Sequence, residues 1–429
     1  MPKLAGIAHV AFVLPNLAGG GAERSLLTVA NGLIERGHRV DIILFGARIH
    51  YPAEVPRKAR LFLVDHRLDD RTKKSARAKE VLNNSARISM AQLSVTSKSR
   101  DWLRIMDALR WDPLCLPGPR LVRQARAVAA YLSHQQPDCV VPSLPRAKIA
   151  ALLAGQLLGT HPPIVPTIRN VLQARRRSHK RCYRHLFGRA SHFICVSQGV
   201  ADSLVEQVGV FATKVSVIHN PVVTPDLDAR MTQPANHPWM DDGGVPVILS
   251  AGRLSSQKDY PTLVKAFARV AETRPCRLII LGEGGRRTSL ERLVARLGLT
   301  GRVSLPGWAD NPFAFMARAA LFVLSSRFEG LPGVLVQALA CGCPCVSTDC
   351  PAGPAEVLQD GRLGQLVPVG DPVRLAEAMV SALERPVHRQ TLRAGVAAFS
   401  AENAISAYEG LIRSVIRKYG ESGSALEHA

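Results

Sequence analysis

The sequence predicts an α/β fold with two doubly wound parallel sheets, one in each half of the chain, facing each other across a cleft. The chain has 429 residues, which is too long for one ordinary domain, and 47% of them are hydrophobic, enough to fill two cores. Short apolar runs alternate with stretches of helical periodicity in both halves, an order typical of parallel sheets covered on both faces. A stretch rich in Pro, Asp, Asn and Gly, residues 223–244, is the predicted linker.

The first domain, residues 1–222, is predicted to open with a βαβ unit. The apolar run IAHVAFVLP forms a strand, a glycine-rich turn follows at residues 18–22, a helix ends at Gly37, and a second strand covers residues 39–44. Residues 70–111 have weak periodicity and form either amphipathic helices or a mobile loop. Further strands are predicted at residues 61–64, 139–142, 164–168, 193–196 and 215–218.

The second domain, residues 245–400, repeats this scheme. Residues 401–429 are predicted to add a last helix that packs back on the first domain, with a frayed tail from residue 422. In doubly wound sheets, ligands bind at the carboxyl ends of the strands. Strands are predicted at residues 245–250, 277–281, 303–305, 321–325 and 345–348, separated by helices at 260–272, 288–297, 312–319 and 333–340.

The charge of the chain is concentrated in its first half. The formal net charge is +21, and residues 1–222 carry +19 of it. Two basic patches dominate: residues 71–100 hold eight basic residues and one Glu, and residues 169–189 hold eight basic residues and no acid. A surface of one sign attracts polyanions such as nucleic acid, anionic lipid or a phosphorylated substrate.

The N-terminal run and the cysteines indicate a cytoplasmic protein with reduced thiols. The N-terminus lacks the pattern of a signal peptide, and no stretch of about 18 uninterrupted apolar residues predicts a spanning helix. Nine cysteines are present, an odd number. The CGCPC cluster at residues 341–345, with Cys350, does not have the paired C-x2-C spacing of structural zinc sites, so we interpret these thiols as buried apolar groups.

Two turns, one rich in glycine and one flanked by basic residues, are candidate phosphate-binding sites. The turn GGGAE, Gly19 to Glu23, lies between a strand and a helix, where it either admits an anion or simply closes a tight bend. It is not a dinucleotide fingerprint, because G-x-G-x-x-G is absent and no acid follows the second strand at the place expected for a ribose contact. In SAGRLSSQKDYPTLVKAF, Arg253 and Lys258 flank a short loop between a strand and a helix. A guanidinium and an ammonium so placed can clamp a diphosphate and stabilise it as a leaving group.

The order of these segments resembles family-four glycosyltransferases of the GT-B superfamily, especially the bacterial branch that builds surface polysaccharides and lipid-linked glycans. The resemblance covers most of the chain outside residues 70–111 and the last few residues. It is carried by AGGGAE, CVSQGVADSLV, HNPV, GRLSSQKDYPTLVKAF, LGEG, LPGWADNPFAFMARAALFVLSSRFEGLPGVLVQALACGCPCVST and GPAEVLQDGRLGQLVPVGD.

The resemblance implies a retaining, metal-independent hexosyltransferase with a nucleotide-sugar donor. Uridine diphosphate is the expected nucleotide, with guanosine diphosphate as the alternative. Arg253 and Lys258 match the pair that holds the donor diphosphate, and Glu329 matches the residue that meets the sugar hydroxyls. The remaining donor-side matches are Gly20, Gly21, Gly282, Glu283, Gly284, Gly330, Leu331, Gly333, Val334 and Leu335, with the amides of Val334 and Leu335 suited to a phosphate.

Two departures from the family pattern bear on the site. The second Glu of the family motif, which takes the ribose hydroxyls, is replaced by Gln337, which lacks the charge. Many relatives carry a His near the acceptor, whereas this chain has Thr167, Arg169 and Asn170 at the corresponding strand end. The Asp-x-Asp metal signature of the other glycosyltransferase superfamily is absent, since Asp69-Asp70 and Asp241-Asp242 are adjacent pairs.

Three alternatives remain open from the sequence. Gln337 is compatible with a GT-B protein that has lost catalysis and acts as a scaffold. The basic first half is compatible with a nucleic-acid-binding protein, although its patches lack interleaved aromatics. A sugar-nucleotide epimerase of the same architecture fits the motifs poorly. For the glycosyltransferase, the basic first domain predicts peripheral attachment to the anionic cytoplasmic leaflet of the plasma membrane and a lipid-linked or glycan acceptor, with no specific nucleic-acid partner.

Overall fold

The computed structural model describes residues 6–18, 20–64, 75–87, 118–171, 183–241 and 244–427. Contacts divide the chain into two compact units. The first unit combines residues 1–196, 200–218 and 402–429, and the second combines residues 197–199 and 219–401. Most of the 70–111 segment, the basic residues at 175–181 and the last two residues lie outside the described residues.

The first unit is built on parallel strands, as the alternating pattern predicts. Five of them form a sheet in the order β4-β3-β2-β1-β5, and three form a sheet in the order β6-β7-β8. Parallel bridges from Val140 to Ile164 and from Ser143 to Thr167 connect β5 to β6. The strands are β1 His9–Leu14, β2 Arg39–Leu44, β3 Arg60–Leu63, β4 Ala86–Arg87, β5 Cys139–Pro142, β6 Thr167–Ile168, β7 Phe193–Cys195 and β8 Val215–Val217.

The second unit contains one six-stranded sheet whose strand pairs are all parallel. The strand order is β11-β10-β9-β12-β13-β14. Successive strands are therefore added on one side of β9 as far as β11, and on its other side from β12 onwards. Ligands of doubly wound sheets bind at the point where the strand order reverses in this way. The strands are β9 Val247–Ala251, β10 Arg277–Leu281, β11 Val303–Gly307, β12 Leu321–Leu324, β13 Cys345–Thr348 and β14 Gln365–Val367.

Helices lie between most consecutive strands and cover the sheets with their apolar faces. In the helix predicted after the glycine turn, Leu26, Leu27, Val29, Ala30 and Leu33 are all buried. The helices are α1 Gly21–Glu35, α2 Ala76–Asn83, α3 Pro119–Gln135, α4 Pro145–Leu158, α5 Gln198–Val208, α6 Leu227–Met231, α7 Pro238–Asp241, α8 Tyr260–Thr273, α9 Arg287–Arg296, α10 Pro312–Arg318, α11 Gly333–Ala340, α12 Pro354–Leu358, α13 Pro372–Glu384, α14 Arg389–Gly395 and α15 Ala401–Glu427.

Two segments are more regular than their composition indicates. The predicted linker 223–244 contains the short helices α6 and α7. Within the 70–111 segment, the described part forms the helix α2, capped by the Ser75 side chain, and the strand β4. The final helix α15 places Tyr408, Ile412 and Val415 in the core of the first unit.

A buried carboxylate joins the amino ends of β1, β2 and β3. Asp41 is fully buried and accepts hydrogen bonds from Arg60 Nε at 2.8 Å and from Tyr131 Oη at 2.5 Å, and His9 Nε2 lies 2.9 Å from it. Burial alone would raise the pKa of Asp41, but the hydrogen bonds from His9, Arg60 and Tyr131 outweigh it and lower this pKa to about 2. Asp41 is therefore an ionised anchor of the first sheet.

Candidate functional site

Glycines pack the loops at the carboxyl ends of β9, β10 and β11 into direct backbone contact. Gly252, Gly282 and Gly307 have φ angles of 153°, 134° and 92°, which favour glycine. A Cβ on Gly282 would lie 2.1 Å from the Gly252 carbonyl oxygen, and one on Gly284 would lie 2.4 Å from that of Leu254. Any side chain at these positions would push the loops apart, so the glycines fix the shape of this edge.

Lys258 and Glu329 form an ion pair at this edge. The loop after β9 supplies Lys258, and the loop after β12 supplies Glu329. Because β9 and β12 are neighbours in the sheet, residues 71 positions apart meet, with Lys258 Nζ donating to Glu329 Oε1 at 2.7 Å. Both side chains are mostly buried, at 14% and 9% exposed. The residue predicted to bind the donor diphosphate and the residue predicted to bind the donor sugar therefore contact each other directly.

A second hydrogen bond orients the Glu329 carboxylate. The buried Ser326 Oγ donates to the same Oε1 atom at 2.6 Å, and the Ser326 carbonyl accepts from Thr348 Oγ1 at 2.6 Å. Both bonds to Glu329 fall on Oε1, and Oε2 accepts no hydrogen bond from the residues that the structure describes. Lys258 likewise uses one of its three N–H groups on Glu329. The pair therefore keeps an acceptor and two donors for a ligand.

Arg253 lies on the same loop as Lys258 but in a different environment. It follows Gly252 at the end of β9 and is exposed. Within the described ranges its side chain makes no hydrogen bond or ion pair, whereas the neighbouring cation Arg327 pairs with the buried Asp259 at 3.0 Å. Arg253 is thus a guanidinium available to an anion, while Arg327 holds the loop by binding Asp259.

The loop from Gly252 to Asp259 is fixed by contacts that its sequence motif does not indicate. Asp259 has a left-handed φ of 47° and accepts from Thr262 Oγ1 at 2.9 Å. Gln257 Nε2 donates to the Phe328 carbonyl at 2.9 Å, and Ser325 Oγ donates to the Lys258 carbonyl at 2.8 Å. The loops after β9 and β12 therefore form one hydrogen-bonded body. Ser325 and Ser326, the two polar residues that follow β12, are the sequence feature that makes these contacts.

The turn after Glu329 leads into α11. Gly330 and Leu331 are buried, and Gly333 begins the helix without a side-chain cap. The Leu335 amide donates to the Pro332 carbonyl at 2.9 Å. Of the two amides considered for phosphate binding, that of Leu335 is therefore already used within the turn, and that of Val334 has no backbone acceptor in the described part of the chain.

Gln337 is the fifth residue of α11, and Glu329 lies in the turn before this helix. Gln337 is partly exposed, and its side-chain amide makes no hydrogen bond to any residue that the structure describes. Its side chain is therefore not part of a hydrogen-bond network among the described residues. A side chain free on both amide atoms can accept from and donate to a ligand.

Glu283, expected near the nucleotide base, is paired in this structure. Its carboxylate accepts from Nη2 of Arg287, the first residue of α9, at 2.6 Å and from Nε of the same side chain at 3.0 Å. The hydrogen bond from Arg287 lowers the pKa of Glu283, so this exposed side chain is ionised. The backbone at Gly282 and Gly284 remains the part of this loop that lies directly beside Gly252 and Leu254.

The remaining predicted site residues lie in the first unit. Gly20 is the extended residue before α1, and Gly21 begins the helix. Glu23 Oε2 is 2.8 Å from the position of a Cβ on Gly20, so a carboxylate lies beside the glycine turn. Arg169 follows β6 and donates through Nε to Ser143 Oγ at 3.1 Å, and Asn170 is exposed next to it.

The cysteine cluster lies in the core of the second unit. Cys341, Cys343, Cys345 and Cys350 are free and buried, and burial raises the pKa of the Cys341 and Cys350 thiols to about 12. Among the described residues, no group of three or more His, Cys, Asp and Glu side chains could hold a metal ion. Cys115, Cys182, Gly19 and Asp69-Asp70 lie outside those residues, and so does Asp242. No described helix is long and apolar enough to cross a membrane.

Two family models match the chain. Residues 96–225 match the model described as glycosyltransferase family 4, and residues 245–385 match the model described as glycosyl transferases group 1. Together they cover more than half of the chain and include Arg169, Lys258 and Glu329.

Individual relatives cover about half of the chain. An N-acetylgalactosamine-N,N'-diacetylbacillosaminyl-diphospho-undecaprenol 4-alpha-N-acetylgalactosaminyltransferase of Campylobacter jejuni is 31% identical over 46% of this chain and 52% of its own length. A lipopolysaccharide core biosynthesis glycosyltransferase of Rhizobium meliloti is 34% identical over 48% and 56%. The chain thus spans about half the length of these curated relatives.

The fold is similar to that of solved glycosyltransferases over nearly the whole chain. An Anabaena protein solved with UDP and glucose aligns with a TM-score of 0.64 at 19% identity, covering 97% of this chain and 99% of that one. At this identity the likeness concerns the fold alone. The parallel sheets with helices between their strands, described above for each unit, are those of a GT-B fold.

Proposed function

Because the chain belongs to the family-four glycosyltransferases of the GT-B superfamily, we propose that it transfers a hexose, with retention, from UDP to a lipid-linked or polysaccharide acceptor in cell-surface glycan synthesis. The observation that carries the proposal is the Lys258–Glu329 pair, held by Ser326 at the carboxyl edge of β9 and β12. One oxygen of Glu329 and two N–H groups of Lys258 remain for a donor, which suits a sugar hydroxyl beside a diphosphate.

The reaction needs charge stabilisation more than a protein base. As the bond from the anomeric carbon to the diphosphate oxygen breaks, negative charge grows on the diphosphate. The exposed Arg253 and the Lys258 ammonium, which keeps two N–H groups for a ligand, are placed to neutralise this charge. The acceptor hydroxyl attacks on the same face, and its proton passes to the leaving diphosphate oxygen. In this scheme the two cations supply the neutralisation, so a metal ion is not required.

A thermal-shift screen against nucleotide sugars tests the proposal. UDP-sugars are expected to raise the unfolding temperature by several degrees at saturating concentration, because a ligand that binds only the folded state stabilises it. GDP-sugars serve as the comparison. Stabilisation by none of the nucleotide sugars would contradict the proposal, and so would equal stabilisation by free sugars.

Gln337 gives a prediction about donor affinity. The Gln337→Glu variant is expected to bind UDP about fivefold more tightly, because hydrogen bonds to a charged acceptor are stronger by about 1 kcal/mol. Calorimetric titration with UDP checks this, and uridine diphosphate lacking both ribose hydroxyls is the control ligand. A gain that persists with the control ligand would show that Gln337 does not face the ribose.

We also propose that the first unit binds an anionic membrane surface. Phe211 is 76% exposed, an unusual state for a large apolar side chain, and it immediately precedes the turn that carries Lys214. Arg184 donates to the Val208 carbonyl at 3.0 Å in the same region. Burial and the positive charges of Lys418 and Lys214 together lower the pKa of His192. An exposed aromatic ring among cations suits insertion at an anionic lipid interface, where each basic residue contributes about 1 kcal/mol.

Vesicle sedimentation tests this attachment. The protein is expected to sediment with vesicles containing anionic lipid and not with neutral ones, and Phe211→Ser is expected to weaken binding several-fold. Val369→Ser, at a partly exposed apolar residue of the second unit, is the matched control. Equal binding to both kinds of vesicle, or binding to neither, would overturn the proposal.

A further inference from the structure

Lys148 is a buried cation that the donor site does not use. It lies on α4 in the first unit and is only 5% exposed. Its ammonium group lies 5.9 Å from the centroid of the Phe187 ring. Within the ranges that the structure describes, Lys148 makes no side-chain hydrogen bond or ion pair. A lysine kept this far from water without an anion requires an explanation.

The side chain of Lys148 is directed towards the carboxyl edge of the first sheet. It is the fourth residue of α4, and side chains in a helix tilt towards its N-terminus, which here follows β5. Its charge acts on Cys195, the last residue of β7, and on Arg169, which follows β6. Residues at the ends of β6 and β7 are therefore within electrostatic range of this ammonium group, which lies on the helix that follows β5.

Arg169 brings a second cation and hydroxyl groups to the same edge. Its Nε donates to the buried Ser143 Oγ, which also accepts from Thr167 Oγ1 at 2.8 Å. Glu23 is an acid whose charge reaches Arg169, whereas the charges that act on Lys148 are those of Cys195 and Arg169. Between Ser143 and α4, Leu144 has a φ of 70°, a conformation that costs a non-glycine residue roughly 1–3 kcal/mol.

The free-energy cost of burying these two cations would be offset by a bound anion. Burial, together with the charge of the nearby Arg169, lowers the pKa of Lys148 to about 8, so the folded protein is destabilised by holding both charges. An apolar residue at position 148 would pack beside Phe187 without this cost. A strained turn and two confined cations at a strand edge are the arrangement of a binding site that is complete only with its ligand.

We infer that Lys148 and Arg169 bind a phosphate or diphosphate group of the acceptor substrate. The inference rests on the proposed function, in which the first unit takes the acceptor, and it narrows the acceptor class to phosphorylated molecules such as a polyprenyl-diphosphate-linked sugar. The forked guanidinium of Arg169 and the ammonium of Lys148 match phosphate oxygens. In the described part of the chain, the amides of Arg146 and Ala147 at the start of α4 have no backbone acceptor, and they add donors at the favourable end of the helix dipole.

Titrations in a donor-site variant test the inference. Lys258→Met is the background, so that diphosphate binding by the second unit is suppressed. In it, inorganic pyrophosphate is expected to bind, and adding Lys148→Met is expected to weaken that binding at least about tenfold, the loss of one charge-assisted contact. Adding Lys58→Met, at an exposed lysine of the first unit, is expected to leave it unchanged.

Separate measurements identify the class of molecule that carries the diphosphate and test the folding of the variants. Farnesyl diphosphate in detergent binding more tightly than pyrophosphate, with farnesol not binding, would identify a lipid-linked acceptor; equal binding of the two diphosphates would identify a soluble phosphorylated one. Lys148→Met alone is expected to unfold at an equal or higher temperature, because it removes a buried unpaired charge.

Two results would overturn the inference while leaving the donor site intact. One is the absence of pyrophosphate binding in the Lys258→Met background, and the other is unchanged binding after Lys148→Met is added. Failure of the proposed function itself would appear elsewhere, as loss of nucleotide-sugar binding in the unmodified protein.

Discussion

Replacing Lys258 with Met is expected to lower the rate of sugar transfer by about 10²–10³-fold, the usual cost of removing one preorganised group that stabilises developing negative charge. The variant also leaves the Glu329 carboxylate, 9% exposed, without its cation. The measurement is release of UDP from the donor identified by the thermal-shift screen. Lys265→Met, at an exposed lysine on α8 in the same unit, is the matched control and is expected to keep full activity.

Glu329→Gln tests the other half of the pair. The amide keeps the shape and a hydrogen bond to the sugar but loses the charge that holds Lys258, so both donor affinity and rate are expected to fall. Loss of activity in both variants would exclude a catalytically inactive scaffold. Full activity in both would show that this pair is not the donor site, even if the unmodified protein is an active transferase.

Asp41→Asn is expected to destabilise the first unit by about 3 kcal/mol, because it leaves the cations around a buried site without their carboxylate. Asp41 is fully buried and contacts His9, Arg60 and Tyr131. Denaturant unfolding of the variant and the unmodified protein at pH 7 gives the difference. Asp202→Asn, at an exposed residue of the same unit, is expected to change stability by less than about 0.5 kcal/mol.

The same carboxylate predicts a pH dependence. Its pKa of about 2 in the folded protein lies below the ordinary value of 3.8, so its contribution is present above pH 4 and is lost as the pH falls from about 4 towards 2. The shift corresponds to roughly 2–3 kcal/mol. The difference in stability between the unmodified protein and Asp41→Asn should therefore shrink over this range, and a difference that stays constant would contradict the low pKa.

The elements of the second unit could be predicted from local patterns. β10, β13 and α11 begin and end at the residues that the apolar runs and the flanking Gly and Pro indicate, because these buried strands are short and continuous and turns punctuate them. β14, at Gln365–Val367, was not predicted, since three residues with one polar member give no periodic signal. β6 covers only Thr167–Ile168 of the predicted 164–168, with a single bridge at Ile164.

The contacts within the site could not be predicted in the same way. Motif matches located Lys258 and Glu329, but their direct hydrogen bond depends on β9 lying beside β12, and the order of strands in a sheet is not encoded locally. The support from Ser326 and Thr348 likewise joins separate strands. The burial of Lys148 could not be predicted either. A lysine in the first turn of a helix is ordinarily exposed, and only the packing of the folded chain shows that this one is buried.

The stereochemistry of the product is the most direct test of the central claim, that this chain is a retaining transferase with its donor held by Lys258 and Glu329. The enzyme is incubated with the donor selected by the screen, and the anomeric proton of the first product formed is followed by NMR. From an α-linked nucleotide sugar, the account predicts an α-linked product or free α-sugar before mutarotation, and no product with Lys258→Met. A product that appears first in the β configuration would contradict it.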